Sequence, residues 1–310
     1  MEKQETKVTK PISKKKKVFT IIGESFLGLV LVVIGVGGGF YLGRRAFMRT
    51  RNYNKYTVTE QDFSEKYEDY KTRGATAAYL TDTPVELVNI GLLNLKNSEN
   101  FFNKTTGLVT AMGLPQDILG EFIKNTEGYF EENLSVGIVS AAFRFYQEDE
   151  SQINIYPGSI KSIAEGASYH EENIKQYTTD DFVDKWGRKT LKDEIIYHIN
   201  DQTTLESSKS KNGDGTYNIK LSLHPILSVL KYVKQMRNTG SLEAYPVFYS
   251  IALDFTLDEN LYIKNYKVDE QYQVVRYGMP VDTHGELNVD YYYQYRAIPA
   301  LNEKVNYEVN

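Results

Sequence analysis

Apolar residues recur along this chain with two periods, and the change from one to the other divides it into segments. In TEQDFSEKYEDYKTR (59–73), Phe63, Tyr67 and Tyr70 fall at helical spacing on a charged background, which predicts a short amphipathic stalk helix. The next segment, TDTPVELVNIGLLNLKN, has complete helix-start signals. Thr83 is placed as N-cap, Pro84 at the first helical position and Glu86 to close a capping box, with Val85, Val88, Leu92 and Leu95 as the buried stripe.

After that helix the period falls from 3.6 to 2. Segments 104–112, 117–125, 135–147 and 152–156 read as consecutive strands, separated by breaks such as MGLPQ and QEDES. A helical insert at 179–186 (TDDFVDKW) precedes a strand at IIYHIN. The hairpin ESSKSKNGDGTYNIKLSL follows, with Tyr217, Ile219, Leu221 and Leu223 alternating behind its NGDG turn. A second helix is expected from His224-Pro225, carrying Ile226, Val229, Leu230 and Val233 on one face, with Gly240 to end it. Strands at 247–257, 261–268, 272–277 and 287–295 close the chain as a meander. Short local connections between them imply a mostly antiparallel sheet with helices covering one face, an α+β domain.

One segment belongs to neither pattern. Residues 18–43, VFTIIGESFLGLVLVVIGVGGGFYLG, follow Lys14 to Lys17 and are closed by Arg44 and Arg45. As a helix this run would be roughly 39 Å long, against a hydrocarbon core of about 30 Å, and it reads as a single transmembrane span. Glu24 lies close enough to the lysine block to snorkel toward water. The form is that of an uncleaved signal-anchor at the cell membrane, N-terminus cytoplasmic and C-terminal domain extracytoplasmic. A cleaved signal peptide is the rival reading, since Gly35 to Gly39 suit a peptidase, but the run exceeds the usual ~7–15-residue apolar region. Gly35, Gly39 and Gly43 share a helix face in the small-xxx-small pattern, which marks them as candidates for a homodimer through the membrane helix. The expected organisation is therefore a basic tail (1–17), a transmembrane helix (18–43), a connector with stalk helix (44–80), an extracytoplasmic domain (81–300) and a tail (301–310).

Charge sharpens this division. Residues 1–55 hold 12 Lys/Arg and 3 Glu, whereas the remainder holds 24 Lys/Arg and 38 Asp/Glu. An acidic domain offers no electrostatic footprint for nucleic acid, so that partner is excluded. With no cysteine, its stability must come from a packed core rather than disulfides. The 25 tyrosines beside one tryptophan suit half-buried sheet faces.

No catalytic or cofactor motif survives inspection. His170 in HEENIK begins like a zincin helix, but Ile174 stands where the second histidine is needed. Ser168 in GASYH lacks the second glycine of a nucleophile elbow, and NGDGT lacks the acidic ladder of a calcium loop. There is no phosphate loop or dinucleotide fingerprint. The expectation is a protein that is not an enzyme and carries no cofactor or metal.

In architecture, residues 84–296 resemble the LolA-like envelope-protein superfamily. The resemblance rests on the capped helix VELVNIGLLNLKNSENFF and on the closing meander YSIALDFTLDENLYIKNYKVDEQYQVVRYG through GELNVDYYYQY. It implies a strongly curved antiparallel sheet whose concave side is filled by helices and whose apolar interior holds acyl chains. Its lining candidates are Ile251, Leu253, Phe255, Leu287, Val289 and Tyr291. Two functions follow as expectations. One is a membrane-anchored extracytoplasmic protein that holds or relays a lipid or other apolar ligand. The other is a non-enzymatic envelope protein that contacts a partner protein or wall polymer, and this second reading expects a filled sheet interior.

Overall fold

Residues 48–137, 140–149, 151–187, 191, 196–239, 242–276, 278–305 and 307 are described by the computed structural model, and the folded unit begins at Arg49. Period-two alternation governs most of it. The strands are Phe101–Ala111 (β1), Leu114–Asn125 (β2), Gly128–Val136 (β3), Ala141–Gln147 (β4), Gln152–Ile160 (β5), Ala167–Tyr169 (β6) and Lys175–Thr178 (β7). After an insertion come Thr204–Lys211 (β8), Tyr217–Leu223 (β9), Val247–Leu257 (β10), Ile263–Arg276 (β11) and Met279–Tyr292 (β12). All join one antiparallel sheet in the order β6-β5-β4-β3-β2-β1-β12-β11-β10-β9-β8, with β7 paired to β5. Two meanders are thus sewn together where β1 meets β12, from Phe102↔Tyr292 to Ala111↔Thr283.

The α-helices are Ser64–Arg73 (α1), Ala75–Thr81 (α2), Pro84–Asn97 (α3), Thr179–Trp186 (α4) and Tyr232–Thr239 (α5). The start of α3 is as the sequence predicts: Thr83 and Glu86 form a reciprocal capping box behind Pro84. One face of the sheet and these helices share a single large core. Val85, Leu87, Val88, Ile90 and Leu95 of α3 meet the inward residues of β9 to β12, and Phe182 and Trp186 of α4 cover Phe145 and its neighbours. Tyr53, Phe63 and Tyr67 join the same core.

The second face carries two smaller clusters, around Phe102, Ile123 and Phe130 and around Leu134, Ala142, Ile160 and Tyr169. Ile298, Leu301, Val305 and Tyr307 pack on them, so the C-terminal segment lies as a strap over β1 to β6. Its backbone is clasped from below: Arg144 donates to the carbonyls of Ala300, Leu301 and Glu303 at 2.9, 2.7 and 2.6 Å.

The expected α+β class with a membrane helix needs correction. Strands dominate the described residues, the longest helix has 14 residues, and no helix among them is long and apolar enough to cross a membrane. Residues 18–43, with Gly35, Gly39 and Gly43, lie outside the described residues. The shift toward β has local causes. The helix expected from residue 226 is broken into a 3-10 turn at Leu227–Val229 and the short α5, because His224 Nδ1 accepts the Ile226 N–H at 3.1 Å and ties its start into a turn. The strand expected at 135–147 is two strands, turned at Gly137, whose φ is 156°. The expected strand at IIYHIN, where described, is irregular chain.

Candidate functional site

On the helix-free face, six strands line an open trough of about 780 Å³, running from β1 across β12, β11, β10 and β9 to β8. Its geometry follows from register. Gly107, Leu287, Val268, Leu253, Leu221 and Ser207 stand directly opposite one another on successive strands. Leu253, Leu221 and Val268 are only 1%, 2% and 3% exposed, because their side chains belong to the helix-side core. The trough therefore meets this row as backbone, and the side chains standing in it come from the rows on either side. At about 4.8 Å between strands its length is roughly 24 Å, and its walls, two residues apart along each strand, are about 7 Å apart.

The walls differ in charge. One carries Glu206, Asp269 and Glu286, with Leu108, Ala252 and Ser222 between them. The other carries Lys220 and Lys267 with Asp254, Asn288, Thr106 and Ser208, and Lys220 Nζ lies 3.5 Å from Asp254 Oδ2. Gly107 leaves room for β12 beside it: a Cβ there would lie 2.4 Å from Leu287 Cδ2 and 2.5 Å from the Glu286 carbonyl oxygen. At the acidic wall Asp269, His284 and Glu286 bring ligand-type atoms within 4.8 Å of one another, a set able to hold a divalent cation. His284 Nε2 already lies 3.0 Å from Asp269 Oδ1.

Farther along the same face, the strap covers a row of buried charges. Lys104, Glu121, Glu132 and Arg144 are opposite partners on β1 to β4. Glu132 accepts from Arg144 Nε and from the Tyr169 hydroxyl, both at 2.7 Å, and from Tyr307 of the strap. Glu121 is less well matched. Arg296 Nε lies 2.8 Å from its Oε1, but neither carboxylate oxygen has a well-formed hydrogen bond, and burial pushes its carboxyl up to about 7 against the opposing pull of Arg296 and Lys104. A second buried acid, Glu270, lies on the helix face. It accepts from the Tyr197 and Tyr232 hydroxyls at 2.7 and 3.0 Å, and burial again raises it to about 7.

The six lining candidates from the sequence fall on the helix side. Ile251, Leu253, Phe255, Val289 and Tyr291 are buried in the main core, and Leu287 is half-buried against it. Leu253 and Leu287 also border the trough from beneath. The charged wall residues were missed because attention to the apolar set of each strand passes over its polar set. The available signal was the triplet pattern: Lys267-Val268-Asp269 and Glu286-Leu287-Asn288 place polar groups on both sides of one inward residue.

No known family matches the chain, and no curated protein is similar to it. Solved structures to which it is similar include the lipoprotein LppX of Mycobacterium tuberculosis, at 9% identity and TM-score 0.33, covering 73% of this chain and 98% of that one. LprF from Mycobacterium bovis stands at 9% and 0.30, covering 71% and 97%. A DUF1329 family protein from Desulfovibrio piger stands at 9% and 0.23, covering 67% and 90%. Likeness at these scores establishes neither a family nor a ligand for this chain.

Proposed function

We propose that this protein is a non-enzymatic binding protein of the cell envelope that receives an elongated amphipathic ligand, most simply a zwitterionic lipid, in the trough on the helix-free face. The observation that carries the reading is an acidic wall that faces, across an uncharged floor, the wall holding both lysines of the trough. A ligand with an apolar length lies along Leu108, Ala252 and the backbone floor. Its cationic group meets Glu206, Asp269 or Glu286, and its anionic group meets Lys220 or Lys267. The volume is within the ~300–1,000 Å³ typical of ligand sites. The location outside the cytoplasm is supported by the acidic, cysteine-free composition behind a basic N-terminal stretch. Organic extraction of the purified protein followed by mass spectrometry is expected to recover lipid at about one per chain. Protein free of lipid that also fails to take it up from vesicles would overturn the reading.

A second reading, contact with a partner protein or wall polymer, is favoured by the openness of the trough and by the packed helix-side interior. A length of roughly 24 Å matches about seven residues of extended peptide. Retention of purified wall polymer or of a single partner by lipid-free protein, lost when Lys267 and Asp269 are reversed in sign, distinguishes it.

A further inference from the structure

The turn between β1 and β2 is built against the usual preference. Ala111 and Leu114 pair, leaving Met112 and Gly113 as a two-residue turn with φ of 55° and 78°. Two positive φ values call for Asn, Asp or Gly at both positions, and a methionine in the left-handed region carries backbone strain. It gains no burial in exchange: Met112 is 42% exposed and Leu114 52%. From Thr105 to Gln116 the hairpin contains no charged residue, in a chain that is 25% charged. Leu108, 38% exposed, continues this apolar tip into the end of the trough. A turn that accepts strain to expose a methionine and a leucine is selected for something outside the fold.

Placement says what that is. The chain enters the folded unit at the same end of the sheet, where the Arg49 N–H donates to Gln273 Oε1 at 2.8 Å. Tyr272, the neighbour of Gln273, is opposite Thr283, which is opposite Ala111. The entry point and the tip are thus separated by two strand spacings, about 10 Å. A tip without charge has nothing to pair with a polar protein surface, whereas flexible apolar side chains on a hairpin suit the acyl boundary of a lipid layer.

We propose that Met112 and Leu114 insert into a phospholipid surface and so bring the Leu108 end of the trough to the lipid. This rests on the trough reading for its purpose, but is tested separately. Because the chain has no cysteine, Met112→Cys and Leu114→Cys can each carry a single NBD fluorophore in the full chain, reconstituted with phosphatidylcholine vesicles. Gly213→Cys is the control: it sits in the β8–β9 turn, at the opposite end of the sheet, with open space around it. Both tip probes are expected to shift to the blue and to be quenched by doxyl-labelled lipid, with the control unaffected. Met112→Asn in the Leu114→Cys background should fold at least as well, since Asn tolerates the left-handed turn, yet lose that quenching. Tip probes that stay in water overturn the proposal. So does quenching of the control as strongly as the tip, or burial of the tip against a second copy or another protein without quenching. If the tip is quenched but extraction yields no lipid, the trough reading fails and the tip stands.

Discussion

Arg144 Nε donates to Glu132 Oε1 at 2.7 Å with both side chains almost wholly removed from solvent. This ion pair does two jobs. It neutralises the centre of a buried row of charges, and it aims the remaining guanidinium donors at the strap carbonyls of Ala300, Leu301 and Glu303. Arg144→Ala leaves Glu132 with two tyrosine hydroxyls and no adjacent cation from its partner strand, and it orphans three carbonyls. The expected loss is about 3–5 kcal/mol in urea denaturation. Adding Glu132→Gln should cost less than the sum of the two single changes, since each removes the other's partner. Limited proteolysis should cut the strap between 296 and 305 in Arg144→Ala before it cuts the sheet.

The two raised carboxyls give stability an unusual direction with pH. Glu121 and Glu270 are moved from the ordinary 4.5 to about 7, in both cases chiefly by burial. Between these values the folded protein keeps protons that the unfolded chain has released. Stability from these groups is therefore complete below about pH 4.5, falls as pH rises toward 7, and levels off above it. The total is about 3–3.5 kcal/mol at most for each group, from 1.36 kcal/mol per pKa unit. Carboxyls held low by hydrogen bonds, such as Asp149 and Asp214, contribute the opposite slope only at lower pH. Denaturation midpoints measured from pH 5 to 8 should decline, and Glu121→Gln with Glu270→Gln should flatten the decline. A profile that rises over this range would contradict the assignment.

Gly107 is the seam between the two meanders. A Cβ 2.5 Å from the Glu286 carbonyl oxygen cannot be accommodated by rotating a side chain, because the obstacle is backbone. Gly107→Ala should force β1 and β12 apart at the end of the trough and cost about 1–3 kcal/mol. Thermal denaturation reads the loss, and hydrogen exchange at Leu287 and Val289 reads its place. Thr83→Ala, which removes one half of the α3 capping box, should cost only about 1 kcal/mol and leave that seam protected.

Legibility followed the physics of each segment. The α3 start was readable because a cap is a local device: Thr83, Pro84 and Glu86 carry all of it within four positions. Strands β9 and β10 were readable because buried residues recur at every second position, throughout β9 and from Ile251 to Leu257 in β10. Strand β3 was not. In GYFEENLSV the buried set includes Glu132, and a glutamate reads as exposed unless Arg144, twelve residues on, is known to face it. Pairing of β1 with β12 was likewise hidden, since nothing local to Phe102 announces Tyr292. The strap, expected as a tail from residue 301, depends on the same remote arginine. The trough was invisible for a further reason: it is made by register across six strands, and no single strand contains it.

The trough reading makes a contrast that separates the two faces of the sheet. Ala252 is exposed in the wall between Asp269 and Ser222. Its neighbour Phe255, three residues on, is fully buried against Tyr266 in the helix-side core. Ala252→Trp places an indole in the trough without entering the core, so the denaturation midpoint should hold while lipid recovered by extraction falls toward zero. Phe255→Ala removes a ring from the core and should cost about 3–5 kcal/mol, yet the fraction that folds should carry its lipid undiminished. The opposite result would place the ligand among the helix-side residues instead: Phe255→Ala would change the lipid bound, and Ala252→Trp would leave it unaltered.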